Sequence, residues 1–132
     1  MTVETLEIYQ HDENKFEMHT KKGEWILTKE KGYSPVQMLV SSVAACGGYV
    51  YISILENSKI EATISKIEVT YRRNEQKKAE PVSEIQLKFI ASNVPEADQK
   101  RAIHCLKLIP ANCPVIQSLD PTIQVTETVE FI

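Results

Sequence analysis

Glycine is scarce in this sequence. Its four glycines in 132 residues do not form the glycine-rich loop with which many proteins cradle phosphate groups. Its three cysteines are too few for a disulfide framework, and the odd count leaves at least one thiol free. The N-terminus lacks the basic start and apolar stretch of a signal peptide. These absences predict a cytoplasmic protein whose cysteines are packing residues, metal ligands or reactive thiols.

An excess of positive charge is also missing. The formal charge of −3 and the isoelectric point near 5.6 argue against a surface for nucleic acid or for anionic membranes. No charged residue occurs over positions 34–55, a length close to the ~20 residues of a membrane span. Serines, glycines and a glutamine interrupt that stretch, and nothing else resembles a second span. We therefore expect a buried helix in a soluble protein.

Clustered metal ligands are absent as well. His11, His19 and His104 are scattered and have no ligand spacing to the cysteines, so no metal site is expected. Cys105 lies next to His104, at adjacent positions that point in different directions on a helix. Core packing is the expected role of Cys105.

The apolar and charged fractions of 42% and 25% are ordinary for a globular protein. We expect residues 1–132 to form one domain. Alternating polarity and turn residues predict six strands. Their expected positions are residues 3–9, 15–20, 24–28, 61–73, 84–89 and 123–131. Combined with the helices below, this order predicts an α+β fold with a mainly antiparallel sheet and helices on one face.

Three helices are expected between these strands. Ser34 followed by Pro35 predicts the start of a helix that runs to about residue 57. This helix is apolar on most faces, so we expect it to be buried, with a second subunit packed against it. A second helix is expected over residues 93–108, broken by Pro110, and a short third one begins at Pro114.

Cys46 lies in the middle of the long helix, between two alanines and two glycines. A free cysteine there acts most simply as a small packing residue. Its small neighbours, however, leave the helix surface thin, so a small molecule could approach the sulfur. Each glycine costs about 1 kcal/mol relative to alanine in a helix, and close helix–helix packing would explain the two equally well.

Cys113 precedes Pro114 and is therefore expected at the N-cap of the third helix. A thiolate there would accept backbone N–H groups and feel the positive end of the helix dipole, which lowers its pKa. A neutral cap thiol is the alternative. Together, Cys46 and Cys113 could form a peroxide-reducing pair, in which one thiolate becomes a sulfenic acid and the other resolves it to a disulfide.

Three segments of the chain carry a family resemblance: GYSPVQML at 32–39, AAC at 44–46 and NCPV at 112–115. They resemble the OsmC/Ohr family of osmotically inducible and organic-hydroperoxide-resistance proteins. The resemblance implies an OsmC-like two-layer α+β subunit in an intertwined homodimer, with the long central helices buried at the interface. It implies Cys46 as the peroxidatic thiol and Cys113 as the resolving thiol. Organic hydroperoxides would be reduced without metal or flavin, and a dithiol such as a lipoylated protein would recycle the enzyme.

The sequence departs from the family pattern at two places. The peroxidases carry Glu where this chain has Val36, and they use an Arg from the N-terminal strands to hold the thiolate. Here all three arginines follow the central helix, and lysine offers only a point charge in place of the bidentate guanidinium. The cations that remain nearby in sequence are His11, Lys15, His19, Lys21 and Lys22.

These departures predict a divergent OsmC-like member with weak peroxidase activity. Two other functions stay open at this point. One is a non-catalytic dimer that binds an apolar small molecule near Cys46, and the other is a stress-associated dimer with inert thiols.

Overall fold

The computed structural model describes residues 3–10 and 15–132 of the chain. The chain divides into two compact units, the first ending at Leu39 and the second covering Val40–Ile132. The first unit contains three strands and the beginning of the long helix. The second contains the rest of that helix, three further strands and several short helices.

The first unit is a small antiparallel sheet of order β1-β2-β3, with strands Ile8–Gln10, Phe16–Thr20 and Gly23–Ile26. The predicted hairpin is confirmed in β2 and β3, whose turn closes with Thr20 paired to Gly23. Gly23 has a φ of 124°, which favours glycine over any residue with a Cβ. The first strand is shorter than the predicted 3–9, because β2 supplies partners only from Ile8 onward.

Helix α1 spans Pro35–Asn57, as the sequence predicts. Its start is fixed by a reciprocal pair of hydrogen bonds. The Ser34 N–H donates to Oε1 of Gln37 at 3.0 Å, and the Gln37 N–H donates to Oγ of Ser34 at 3.2 Å. This capping box satisfies amides that have no partner inside the helix. The local sequence Ser-Pro-Val-Gln therefore determines where α1 begins.

The sheet of the second unit has the order β4-β5-β6, with strands Thr63–Arg73, Val82–Ser92 and Gln124–Phe131. Strands β4 and β5 are antiparallel and joined by the predicted charged loop. Strand β6 runs parallel to β5, the one parallel pair in an otherwise antiparallel arrangement of described strands. A parallel neighbour requires a crossover connection, and the short helices provide it.

The crossover is more segmented than the sequence predicts. Helix α2 covers Gln99–Cys105, between 3₁₀ turns at Glu96–Asp98 and Leu106–Leu108; α3 covers Ile109–Asn112 and α4 covers Pro114–Gln117. The expected break at Pro110 is wrong. Pro110 lies in the first turn of α3, where the missing N–H has no partner to lose.

One face of α1 packs on the second sheet at close range. A methyl group at Gly48 would lie 2.6 Å from Cδ1 of Ile67, and one at Gly47 would lie 3.1 Å from Cδ1 of Leu87. The two glycines therefore let the helix approach the sheet. This helix-on-sheet contact, rather than a helix–helix contact, explains them. The largest fully buried side chains of this core are Tyr51, Phe89, Ile85, Leu87 and Ile109.

The opposite face of α1 is exposed within the single chain. Seven of its 23 residues are buried, so the chain alone does not cover the helix on most faces. The exposed stripe has a three-to-four-residue spacing and consists of Ser42, Ala45, Tyr49, Ile52 and Glu56. By length and composition alone, α1 could also cross a membrane. This is a weak signal, because the core helices of soluble proteins share it. No other helix in the described part of the chain meets the same criteria.

Candidate active site: a pair of thiols

The structure brings the two predicted thiols together. The Cys46 thiol is near enough to Cys113 to raise the pKa of the Cys113 thiol, and both are free thiols. Cys46 lies on α1, directly before the glycines that contact the sheet, and Cys113 separates α3 from α4. Cys46 is partly exposed, whereas Cys113 is 0% exposed. Cys46 is therefore the more accessible residue of the two.

Cys113 is the N-cap of α4, as predicted, with extended backbone angles and a carbonyl that accepts the Gln117 N–H at 3.0 Å. Of the two states expected for its thiol, the direction of the pKa favours the neutral one. Burial raises the pKa of the Cys113 thiol, and the adjacent Cys46 thiol raises it further, while the amides of Ile116 and Val115 favour the thiolate less strongly. The sulfur makes no full cap hydrogen bond, and α4 has only four residues, which leaves a small dipole. Cys113 is therefore a neutral thiol at pH 7.

The third cysteine takes no part in this pair. Cys105 is 6% exposed, and its sulfur lies 3.7 Å from Oγ of Ser58, so the predicted packing role is confirmed. Within residues 3–10 and 15–132, no group of three or more His, Cys, Asp or Glu side chains is arranged to hold a metal ion.

The three arginines all have partners other than the thiols. Nε of Arg72 lies 3.7 Å from Oε2 of Glu84, and Nε of Arg73 donates to the carbonyl of Glu80. Arg101 bonds to Oδ1 of Asp98 and to the carbonyl of Ser58. Val36, at the position of the family Glu, is the second residue of α1. Of the other cations considered from the sequence, His11 lies outside the described residues, and Lys15, His19, Lys21 and Lys22 belong to the first unit.

A groove of about 490 Å³ opens along the C-terminal half of α1, and neither Cys46 nor Cys113 lines it. Val50, one turn beyond Cys46 on the same helix face, forms part of one wall, and Asn112, the neighbour of Cys113, forms part of the other. Its volume lies within the range of small-molecule sites. The lining is Tyr49, Val50, Ser53, Ile54, Asn57, Ser58, Leu108 and Asn112.

Glu127 was not among the candidate residues expected from the sequence. It lies on β6 beside the buried Leu87 of β5, on the face that the alternation of Val125 and Val129 marks as apolar. Among the described residues, Oε2 of Glu127 is the one buried side-chain oxygen or nitrogen that lacks a hydrogen-bond partner. Burial raises the pKa of this carboxyl, because the charged form loses its hydration.

Glu127→Gln is expected to stabilise the protein in a pH-dependent way. Since the folded-state pKa lies above the ordinary value of 4.5, the carboxyl favours folding below that pH and opposes it as pH rises through the folded pKa. The variant should gain on the order of 1 kcal/mol at pH 7 and little at pH 4. Urea unfolding at both pH values measures this difference.

The control for Glu127 is Glu130→Gln on the same strand. Glu130 is exposed and lies 3.0 Å from Nζ of Lys88, so its replacement should bring no gain in stability at pH 7. An equal gain at pH 4 and pH 7 for Glu127→Gln would contradict the role of the buried charge.

Comparisons with known proteins give a consistent family relationship. Residues 28–128 match the model of the family described as "OsmC-like protein". A hypothetical protein from Aquifex aeolicus VF5 shares the fold with a TM-score of 0.82 and 27% identity, covering 100% of this chain and 98% of that one. A search of curated proteins finds no match.

Two further solved structures show the same fold at lower identity. An OsmC-like protein from Mycoplasma pneumoniae has a TM-score of 0.72 and 19% identity, over 99% of this chain and 98% of that one. The organic hydroperoxide resistance protein OhrB of Bacillus subtilis has a TM-score of 0.62 and 14% identity, over 96% and 98%. The similarity extends over nearly the whole of each chain.

Proposed function

The chain belongs to the family of OsmC-like proteins, and from this premise and the thiol pair we propose that it is a thiol-dependent peroxidase that reduces organic hydroperoxides. One observation carries the proposal: the partly exposed Cys46 lies beside the fully buried Cys113. An exposed thiol backed by a second, protected thiol suits a two-cysteine cycle. We assign the peroxidatic role to Cys46 and the resolving role to Cys113.

The oxidative half of the proposed cycle requires only the two thiols and one hydroperoxide molecule. The Cys46 thiolate attacks the distal oxygen of ROOH and breaks the O–O bond, which yields a sulfenic acid and, after protonation, the alcohol ROH. The Cys113 thiol then attacks the Cys46 sulfur, so that an S–S bond forms and water leaves. An external dithiol reduces the disulfide by thiol–disulfide exchange. The neutral Cys113 keeps its proton until the second step needs it.

The first step is expected to be slow. Peroxide attack requires Cys46 as the thiolate, and the family Glu position holds Val36 here. Each arginine is engaged with other groups, so no guanidinium fork is assigned to the sulfur. We therefore propose a cytoplasmic enzyme with weak activity, recycled by a cellular dithiol.

The exposed face of α1 supports a homodimer. Tyr49 is 76% exposed and Ile52 is 41% exposed in the single chain, and both lie on the stripe that faces away from the sheet. Such contiguous apolar surface on a helix favours burial against a partner, here a second copy. Analytical ultracentrifugation checks this assignment, and a monomer at micromolar concentration would contradict it.

Disulfide mapping after peroxide treatment tests the proposed function. Reduced protein is mixed with one equivalent of cumene hydroperoxide, blocked with an alkylating reagent and digested without reductant. We expect peptide mass spectrometry to find Cys46 linked to Cys113, with Cys105 still alkylated. Cys46 and Cys113 both remaining reduced would overturn the proposal.

A second candidate function is supported by the groove along the C-terminal half of α1. Its volume and its mixed lining suit an apolar small molecule held without redox chemistry. The same mapping experiment separates the two functions. If Cys46 stays reduced while a fluorescent apolar probe binds in the groove, the binding function is favoured.

A further inference from the structure

The side chain of Gln117 forms a hydrogen bond across the turn that contains Cys113. Gln117 is the last residue of α4, and its Nε2 donates to the carbonyl of Pro110 in α3 at 2.7 Å. Its backbone N–H also donates to the carbonyl of Cys113 at 3.0 Å. The side-chain bond therefore spans Cys113 and ties the two short helices together. Asn112 makes a separate bond to the carbonyl of Leu108 at 2.8 Å, entirely on the α3 side.

We propose that Gln117 is a positioning residue for the resolving step, because its side chain holds α4 against α3 and thereby keeps the Cys113 sulfur beside that of Cys46. The inference rests on the proposed peroxidase function and assigns a residue beyond the two thiols. Helices of four residues are not stable by themselves. Since the extended backbone of Cys113 interrupts them, their relative placement depends on packing and on the Gln117 bond.

The chemistry explains why this placement matters for one step only. In the resolving step the two sulfurs must approach to about 2.05 Å, as the S–O bond of the sulfenic acid breaks and water leaves. Small displacements of a nucleophile slow such a reaction strongly. The attack of Cys46 on the hydroperoxide does not involve the Cys113 turn. Loss of the Gln117 bond should therefore lengthen the life of the sulfenic acid without changing how fast it forms.

The experiment compares Gln117→Leu with the control Ser118→Ala in the full chain. Leu keeps a similar volume and lacks the donor. Ser118 Oγ donates to the carbonyl of Pro114 at 2.7 Å, so the control removes a bond of equal length that does not span Cys113. Each reduced protein receives one equivalent of cumene hydroperoxide, with or without dimedone, and intact mass spectrometry follows the sulfenic adduct and the disulfide over time.

We expect Gln117→Leu to oxidise Cys46 at the wild-type rate and to form the disulfide about threefold to tenfold more slowly, the effect of one lost hydrogen bond. The dimedone adduct should increase correspondingly, whereas Ser118→Ala should behave as the wild type. Gln117→Glu, which keeps the shape but places an acceptor at the Pro110 carbonyl, should slow the disulfide as well. Gln117→Glu provides the test if Gln117→Leu does not fold.

Two results overturn the positioning role. One is a disulfide rate in both Gln117 variants equal to that of the wild type, and the other is an equal slowing in Ser118→Ala. Failure of wild-type Cys46 to be oxidised at all would overturn the proposed function, and this inference with it. The rate of the first step therefore distinguishes the two failures.

Discussion

Cys46→Ser is expected to lose organic-hydroperoxide turnover down to the uncatalysed rate. A serine hydroxyl remains protonated at neutral pH and cannot replace a thiolate as the attacking group. Removing a covalent nucleophile typically costs several orders of magnitude, so even a weak enzyme should lose on the order of a hundredfold or more. Consumption of cumene hydroperoxide in the presence of a dithiol measures the rate.

The other two cysteines provide matched comparisons. Cys105→Ser should retain wild-type turnover, because Cys105 lies among core residues away from the thiol pair. Cys113→Ser should still form a sulfenic acid at Cys46 in a single turnover and should not form the intramolecular disulfide. Equal turnover in wild type and Cys46→Ser would show that any peroxide reduction occurs elsewhere.

Phe89→Ala is expected to destabilise the protein by about 3–5 kcal/mol. Phe89 is 0% exposed, and the centroid of its ring lies 4.9 Å from the centroid of the Tyr51 ring on α1. A methyl at Gly47 would lie 3.9 Å from Cζ of Phe89. The ring therefore supports α1 next to Cys46, and its loss leaves a cavity that the tightly packed helix cannot close. Urea unfolding of the reduced protein measures the change in free energy.

Ile103→Ala is the control for this prediction. Ile103 is 50% exposed on α2, so its truncation should change the free energy of unfolding by less than about 1 kcal/mol. A similarly small loss for Phe89→Ala would mean that the core at Gly47 relaxes far more than its close contacts suggest.

Local signals in the sequence predicted local structure well. Ser34 and Gln37 are three positions apart and form reciprocal hydrogen bonds, so the start of α1 is determined by a short segment of sequence. The short charged loop between β4 and β5 likewise indicated that these two strands form an antiparallel pair. The parallel direction of β6 could not be predicted this way, because alternation describes the two faces of a strand and not its neighbour.

The sequence singled out both cysteines of the candidate site, and it could not show the effect of burial on their thiols. Cys46 and Cys113 are distant in sequence, and their pairing was expected from a family resemblance rather than from spacing. The sequence left open whether Cys113 is a thiolate or a neutral thiol, because burial, which raises its pKa, depends on the whole fold. Glu127 could have been identified, since the alternation of Val125 and Val129 places it on the apolar face.

The parallel pairing of β5 and β6 has a consequence for the segment that carries Cys113. Parallel neighbours cannot be joined by a tight turn, so residues 93–123 form a connection that the sheet itself requires. The Cys113 turn lies within that connection. Replacing Cys113 would therefore leave this segment in place, whereas deleting the segment would remove β6 from the sheet. The place of Cys113 is thus set by the connection to β6 and does not depend on the reactivity of its thiol.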